Sequence, residues 1–111
     1  MPKTIRSWTN DIHENALNHG WWDDPDRNIG ELLALIHSEI SEALEAYRLG
    51  EMHTITHDDN GKPEGFWVEM ADVLIRVLDM AGRFNIDIEH LMALKHAYNK
   101  TRPYRHGGKL A

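Results

Sequence analysis

Residues 66–84, FWVEMADVLIRVLDMAGRF, decide the fold. Apolar residues fall on every side of a helix drawn through this stretch, which predicts a helix largely enclosed by neighbouring elements. Charged residues nevertheless interrupt it, among them Glu69, Asp72, Arg76 and Asp79. At 100° per residue all four lie within a sector of about 80°, so they form one narrow polar stripe. Such a stripe is either a solvated face or, because it is rich in acids, a cation site with Arg76 and Asp79 as a supporting ion pair.

The acids on this stripe favour the cation site. Glu69 and Asp72 are same-face neighbours, and like charges at this spacing repel each other more strongly in a cleft unless a cation lies between them. The preceding predicted helix repeats the pattern with Glu39 and Glu42. If the two helices pack side by side and antiparallel, four carboxylates converge, and oxygen ligands of this kind suit Mg²⁺. We therefore expect Glu39, Glu42, Glu69 and Asp72 to bind Mg²⁺, with Mn²⁺ as an alternative ion.

The remaining periodicity predicts an all-α four-helix bundle in a single domain over residues 1–111. The predicted helices span about 4–19, 29–48, 66–84 and 88–100. Asn28 and Asp87 are the expected N-caps of the second and fourth helices. The segment GEMHTITHDDNGKPEG, residues 50–65, contains turn signals and predicts a long connection. Residues from about 101 to 111 are expected to form a flexible basic tail.

Composition limits the classes of function. The chain has 111 residues, no cysteine and no apolar run of about 20 residues, which predicts a soluble, cytoplasmic protein rather than a membrane protein. Five of the twelve basic side chains lie in the last 22 residues, which hold no acid, so the first 89 residues carry a charge of −11. This acidic body argues against binding to duplex nucleic acid. The basic end is either a solvated tail or a clamp for an anionic ligand.

Several tryptophans are expected to be covered by the core, by a second copy of the chain or by a ligand. Trp8 lies on the apolar stripe of the first helix and is expected in the core, whereas Trp67 and its neighbours predict more apolar surface than a thin bundle hides. We therefore expect a homodimer or a homotetramer. Trp21 and Trp22 lie in a polar loop, where they either fill the bundle or an interface, or stack on a flat ligand.

The acidic pairs occur in a familiar context. E-x-x-E in GELLALIHSEISEALEAYR, E-x-x-D in KPEGFWVEMADVLIRVLDMAG and the basic run KHAYNKTRPYRHGGK together resemble the MazG-like branch of the all-α nucleoside triphosphate pyrophosphohydrolases. Relatives of that branch are the dimeric dUTPases and the dCTP pyrophosphatases. The resemblance covers about residues 20–109. In the longer family pattern a glutamate directly precedes E-x-x-E, where this chain has Ser38, so the number of metal ions stays open.

This resemblance implies a reaction and a set of site residues. The reaction is Mg²⁺-dependent hydrolysis of a nucleoside triphosphate between the α and β phosphates, giving monophosphate and pyrophosphate. The implied metal ligands are again Glu39, Glu42, Glu69 and Asp72, and either Glu39 or Glu42 is the candidate that activates water. The candidate substrate-binding residues are Lys95, Asn99, Lys100, Arg102, Arg105, Trp21 and Trp22.

Two other classes compete with this prediction. A di-iron carboxylate bundle requires Glu-x-x-His pairs, and none of the glutamates here has a histidine three residues later. A non-catalytic helical module that binds a nucleotide or another protein is the remaining alternative, and it predicts that the acids are dispensable for function.

Overall fold

The computed structural model describes residues 2–103. It contains four helices, α1 (Ile5–Asn18), α2 (Ile29–Arg48), α3 (Phe66–Arg83) and α4 (Ile88–Lys100). A two-residue antiparallel hairpin, β1 (Thr56–His57) and β2 (Pro63–Glu64), lies in the connection between α2 and α3. The described chain is mostly helical, in agreement with the predicted all-α class. No helix in the described part of the chain is long and apolar enough to cross a membrane. The predicted basic tail lies mostly outside the described residues.

Side-chain caps set where the helices begin. The side chain of Asn28 accepts a hydrogen bond from the backbone N–H of Glu31 at 3.1 Å, and that of Asp87 accepts one from His90 at 3.1 Å. Both residues satisfy a backbone donor that the first helical turn leaves free, which confirms the two predicted N-caps.

The start of α3 depends on a glycine. Gly65 has φ 143°, a conformation that only glycine adopts readily, and a β-carbon at this position would clash with the carbonyl oxygen of Thr54. The connection therefore folds back against the first turn of α3, and β2 contacts that helix. This arrangement fixes the hairpin beside the polar stripe of α3.

Helix α3 lies between α1 and α2 and packs on both. Gly82 permits close approach of α1, since a β-carbon there would lie 2.6 Å from the β-carbon of His13. Helix α4 contacts mainly α1, and all of its residues except Ile88 are exposed. In the described chain α1, α3 and α2 form a layer of three helices with α4 at its edge. The four-helix bundle stays a prediction.

The apolar core is small. Its buried apolar residues are Trp22, Leu32, Ala43 and Ala81. Trp8, expected in the core, is 46% exposed, so that prediction is wrong. The reason is that α1 turns Thr9, not Trp8, towards the interior at this level.

Helix α2 buries only part of its apolar surface. Leu32 and Ala43 are buried together with Glu39, while Leu33, Ile40, Leu44 and Tyr47 are exposed. The apolar residues of α2 cover more than one side, so periodicity alone does not identify the face that α3 covers. The exposed stripe is left without a partner in one copy of the described chain.

Candidate functional site

Three carboxylates from two helices meet in one place. Glu69 and Asp72 lie on the same face of α3, and Glu39 reaches them from α2. One carboxylate oxygen of each residue lies within 4.8 Å of the other two. We call these three residues the acid cluster. Opposite ligands of a cation bound at about 2.1 Å are about 4.2 Å apart, so small side-chain movements suffice to bring the three around one ion.

Glu42, the fourth predicted ligand, lies at the rim of this cluster. It is exposed, one turn further along α2 than Glu39, and it lines the same cleft. Its negative charge adds to the charge around Glu69. The structure therefore brings all four predicted acids to one cleft but groups only three of them tightly.

The acid cluster has more negative charge than the neighbouring cationic side chains offset. Burial, hydrogen bonds to the neighbouring glutamates and their negative charges raise the pKa of Glu69 to about 8. Burial and the charge of Glu39 also raise the pKa of Asp72. Burial acts to raise the pKa of Glu39, but its hydrogen bond with Glu69 and the Arg76 guanidinium together lower it below the ordinary value. With no cation bound, a proton on Glu69 offsets part of the repulsion at neutral pH.

Arg76 forms an ion pair with this cluster. Its Nε and Nη2 atoms both donate to Oε1 of Glu39, at 3.1 Å and 3.0 Å. Its guanidinium also lies 5.3 Å from the centre of the Trp21 ring. The predicted ion pair between Arg76 and Asp79 is wrong, because Arg76 turns towards α2 while Asp79 turns towards α1.

Asp79 has its own set of donors. The indole Nε1–H of Trp22 donates to both carboxylate oxygens, at 2.9 Å and 3.0 Å, and Nδ1 of His13 lies 2.8 Å from Oδ1. Asp79 and Trp22 are both buried, each only 6% exposed. These donors hold the carboxylate of Asp79, which also lines the cleft described below, and sequence periodicity indicates none of them.

The acid cluster opens into a cleft of about 730 Å³. Helices α2 and α3 supply its acidic end, and α1 supplies further wall with Trp8, Asp11, Asn15 and His19. Trp21, from the loop after α1, also lines it. Sites for small organic ligands typically have about 300–1,000 Å³. The cleft therefore has room for an organic molecule next to the carboxylates.

The two adjacent tryptophans have different surroundings. Trp21 lines the cleft, whereas Trp22 is not among the residues of its wall. The Trp22 ring packs edge-on against His13 and Phe84, with ring centres 6.1 Å and 6.2 Å away. The structure thus places Trp21 where stacking on a ligand is feasible, and it places Trp22 in the core.

The described residues of the predicted phosphate-binding set on and after α4 do not line the cleft of their own chain. Lys95, Asn99 and Lys100 are exposed on α4, and neither they nor Arg102 line the cleft. Arg105 lies outside the described residues. In one copy of the described chain, these groups are not brought to the acid cluster.

Lys62 lines the cleft, although its sequence context indicated only a turn. Oδ1 of Asp58 accepts hydrogen bonds from the backbone N–H groups of Asn60 and Lys62, at 2.8 Å and 2.9 Å, and shapes the hairpin tip. The positive charge of Lys62 acts on Asp72 across the cleft. A turn has no periodicity that points to a face, so no local signal could have placed this lysine.

Comparisons with protein-family models, with curated proteins and with solved structures find no match to this chain. The interpretation of the cleft therefore depends on its own residues. They combine the acid cluster with the cations of Arg76 and Lys62 and the indole of Trp21. Such a combination can hold a divalent cation beside an anionic ligand that carries a flat ring.

Proposed function

We propose that the chain is a Mg²⁺-dependent hydrolase that converts a nucleoside or deoxynucleoside triphosphate into the monophosphate and pyrophosphate. The observation that carries this proposal is the acid cluster at one end of a 730 Å³ cleft that Trp21 also lines. A nucleoside triphosphate has matching parts, because its phosphates bind Mg²⁺ and its base is flat and aromatic. The resemblance of the two acidic pairs to the MazG-like pyrophosphohydrolases supports the same assignment.

The acid cluster is the proposed metal site. Glu39, Glu69 and Asp72 would bind Mg²⁺, or Mn²⁺ in its place, and Glu42 is close enough to join them or to act on a water. A bound ion would neutralise phosphate charge and lower the pKa of a coordinated water. Without a cation, a proton on Glu69 offsets part of the repulsion among the carboxylates. A bound cation would offset that repulsion instead, and Glu69 would release its proton.

Glu42 is the better candidate for the water-activating base. Glu39 is buried and accepts two hydrogen bonds from Arg76, whereas Glu42 lies exposed at the rim. In the proposed step Glu42 takes a proton from the attacking water while the water oxygen bonds to the phosphorus of the α-phosphate. The bond from that phosphorus to the oxygen bridging the α and β phosphates breaks, the monophosphate forms, and pyrophosphate leaves. Lys62 and Arg76 line the same cleft and stabilise the negative charge of the phosphates.

Self-association is part of the proposal. A single described chain exposes apolar side chains on α2, α3 and α4, among them Leu33, Ile40, Leu44, Trp67, Leu74, Leu91 and Leu94. Monomers rarely leave so much apolar surface uncovered. We expect a homodimer or homotetramer in which α4 of a second copy brings Lys95 and Asn99 to the phosphates, and sedimentation velocity reports the assembly directly.

The test is product analysis by ³¹P NMR. Wild-type protein is incubated with Mg²⁺ and each of the eight common nucleoside and deoxynucleoside triphosphates. We expect monophosphate and pyrophosphate as the only products, with turnover lost in Asp72→Asn and Glu42→Gln and in the presence of EDTA. Glu45→Gln is the matched control, because Glu45 is exposed on the same helix and does not line the cleft.

Three results would contradict the proposal. Orthophosphate as the first product would indicate cleavage at the terminal phosphate. Equal turnover by Asp72→Asn and wild type would remove the acid cluster from the reaction. Binding of triphosphate without turnover would favour the alternative, a non-catalytic nucleotide-binding module.

A further inference from the structure

The loop between α1 and α2 is fixed from several directions. The backbone N–H of Trp21 donates to the carbonyl of Ala16 at 3.0 Å, and the carbonyl of Trp21 accepts a hydrogen bond from Nη1 of Arg27 at 3.2 Å. The Arg27 guanidinium lies 4.1 Å from the centre of the Trp21 ring. Arg27 does not line the cleft, whereas Arg76, whose guanidinium lies 5.3 Å from the same ring centre, does. The Trp21 side chain is therefore held in place before any ligand arrives.

The strongest of these restraints acts through the next residue. Both carboxylate oxygens of Asp79 accept from the indole N–H of Trp22, and His13 completes the set of partners. In this charge-assisted bond one N–H is shared between two carboxylate oxygens, which restricts the orientation of the indole. Since Trp21 and Trp22 are consecutive, fixing the Trp22 ring also fixes the backbone from which the Trp21 ring projects.

Because Asp79 is buried, filling space alone does not explain why this position has a carboxylate. Taking a carboxylate out of water costs free energy, and an apolar side chain of similar size would fill the interface of α1 and α3 without that cost. What the carboxylate adds is a directional acceptor for Trp22. An apolar residue would instead leave the buried indole N–H without a partner.

We propose that Asp79 is a positioning residue for nucleobase binding, which holds Trp22 and thereby presents Trp21 to the base. The inference rests on the proposed function, because it assigns the part of the cleft near Trp21 to the base and the acid cluster to the phosphates. It predicts that damage at Asp79 weakens recognition of the base and leaves the handling of phosphate unchanged.

The test compares two substrates, a nucleoside triphosphate and ribose 5-triphosphate, which has no base. Trp22→Phe removes the donor and Asp79→Leu removes the acceptor. We expect each to raise KM for the nucleoside triphosphate by about tenfold, since stacking contributes about 1–3 kcal/mol per base. KM for ribose 5-triphosphate should change by less than about twofold. Asp79→Asn, which keeps one oxygen acceptor, should restore most of the affinity.

A control separates positioning from general destabilisation. Thr9→Val alters another buried polar residue of α1, whose hydroxyl donates to the carbonyl of Ile5 at 2.8 Å and which does not line the cleft. It should lower stability and leave both KM values unchanged. If Trp22→Phe and Asp79→Leu change both substrates equally, or neither, the positioning role is excluded.

Failure of the proposed reaction is distinguishable from failure of this inference. If wild-type protein cleaves no triphosphate, its binding of an α,β-imido deoxynucleoside triphosphate is measured by calorimetry. Binding that weakens about tenfold in both variants supports the positioning role without hydrolysis. Binding that the variants leave unchanged, or no binding by the wild type, overturns the inference.

Discussion

The polar stripe of α3 carries two kinds of enclosed carboxylate. At one end Glu69 and Asp72 meet Glu39 of α2, and burial together with the neighbouring glutamates raises the pKa of Glu69 to about 8. At the other end Asp79 is more deeply buried yet has donors from Trp22 and His13. A buried carboxylate that accepts hydrogen bonds from protein donors fixes the orientation of those donors. A group of carboxylates with few positive charges around it attracts a cation. The difference suits the first end to binding a cation and the second end to holding Trp22 in place.

The largest expected effect is on turnover. Glu69→Gln removes one charge from the acid cluster, and we expect it to reduce kcat/KM for the preferred triphosphate by at least about 100-fold, because metal and phosphate charge are stabilised there. Steady-state kinetics with saturating Mg²⁺ measure it. If Glu69→Gln keeps wild-type kcat/KM, the assignment of the acid cluster to the reaction fails.

Substitutions at the two ends should affect stability differently. Asp79→Leu leaves the indole N–H of Trp22 buried without an acceptor, so we expect it to reduce the free energy of unfolding by about 1–3 kcal/mol. Glu69→Gln removes repulsion, so without divalent cations at pH 8 it should not reduce that free energy. Urea unfolding in EDTA compares the two. Equal destabilisation by both would contradict the distinction between them.

The pH dependence of stability should identify Glu69. Its pKa is about 8 in the folded chain and 4.5 is its ordinary value. Below pH 4.5 folded and unfolded chains both hold the proton, so its contribution is fully present. As pH rises towards 8 the unfolded chain releases the proton that the folded chain keeps, and stability falls.

Thermal unfolding between pH 5 and pH 9 in EDTA tests this sign. We expect Tm of the wild type, relative to that of Glu69→Gln, to decrease up to about pH 8 and then to level off. Mg²⁺ at pH 8 should raise Tm of the wild type. A Tm difference that does not vary with pH would show that Glu69 titrates normally.

A smaller effect is expected at the hairpin. Lys62→Gln removes a cation from the cleft wall, and we expect KM to rise about three- to tenfold with little change in kcat. Lys62→Arg keeps the charge and should stay near the wild type. The KM of the wild type should also rise with salt more steeply than that of Lys62→Gln. Identical KM values for Lys62→Gln and the wild type would exclude the hairpin from phosphate binding.

Local sequence signals were sufficient for the helices and for part of the site. Periodicity and the capping residues Asn28 and Asp87 located the helices closely, because both depend on neighbours within a turn or two. The spacing of Glu69 and Asp72 also predicted their shared face. Contacts between distant elements could not be predicted from local sequence signals. Nothing local links Asp79 to Trp22, 57 residues apart, and the turn at Lys62 gave no direction.

Helix α4 shows a different limit. Its apolar residues Leu91, Leu94 and Tyr98 recur at helical spacing on one face, but that face is exposed in one copy of the described chain. Sequence patterning identifies an apolar face and does not identify what covers it. For the same reason Trp8 was expected inside, although it lines an open cleft.

Calorimetric titration with Mg²⁺ tests most directly whether the acid cluster is a cation site. We expect the wild type to bind Mg²⁺, with a heat at pH 7 that depends on the buffer because Glu69 releases its proton on binding. Asp72→Asn should lose this binding, whereas Asp79→Asn, changed at the other end of the same stripe, should keep it. Absence of Mg²⁺ binding by the wild type, or equal binding by Asp72→Asn, would show that the acid cluster is only a partly buried polar face.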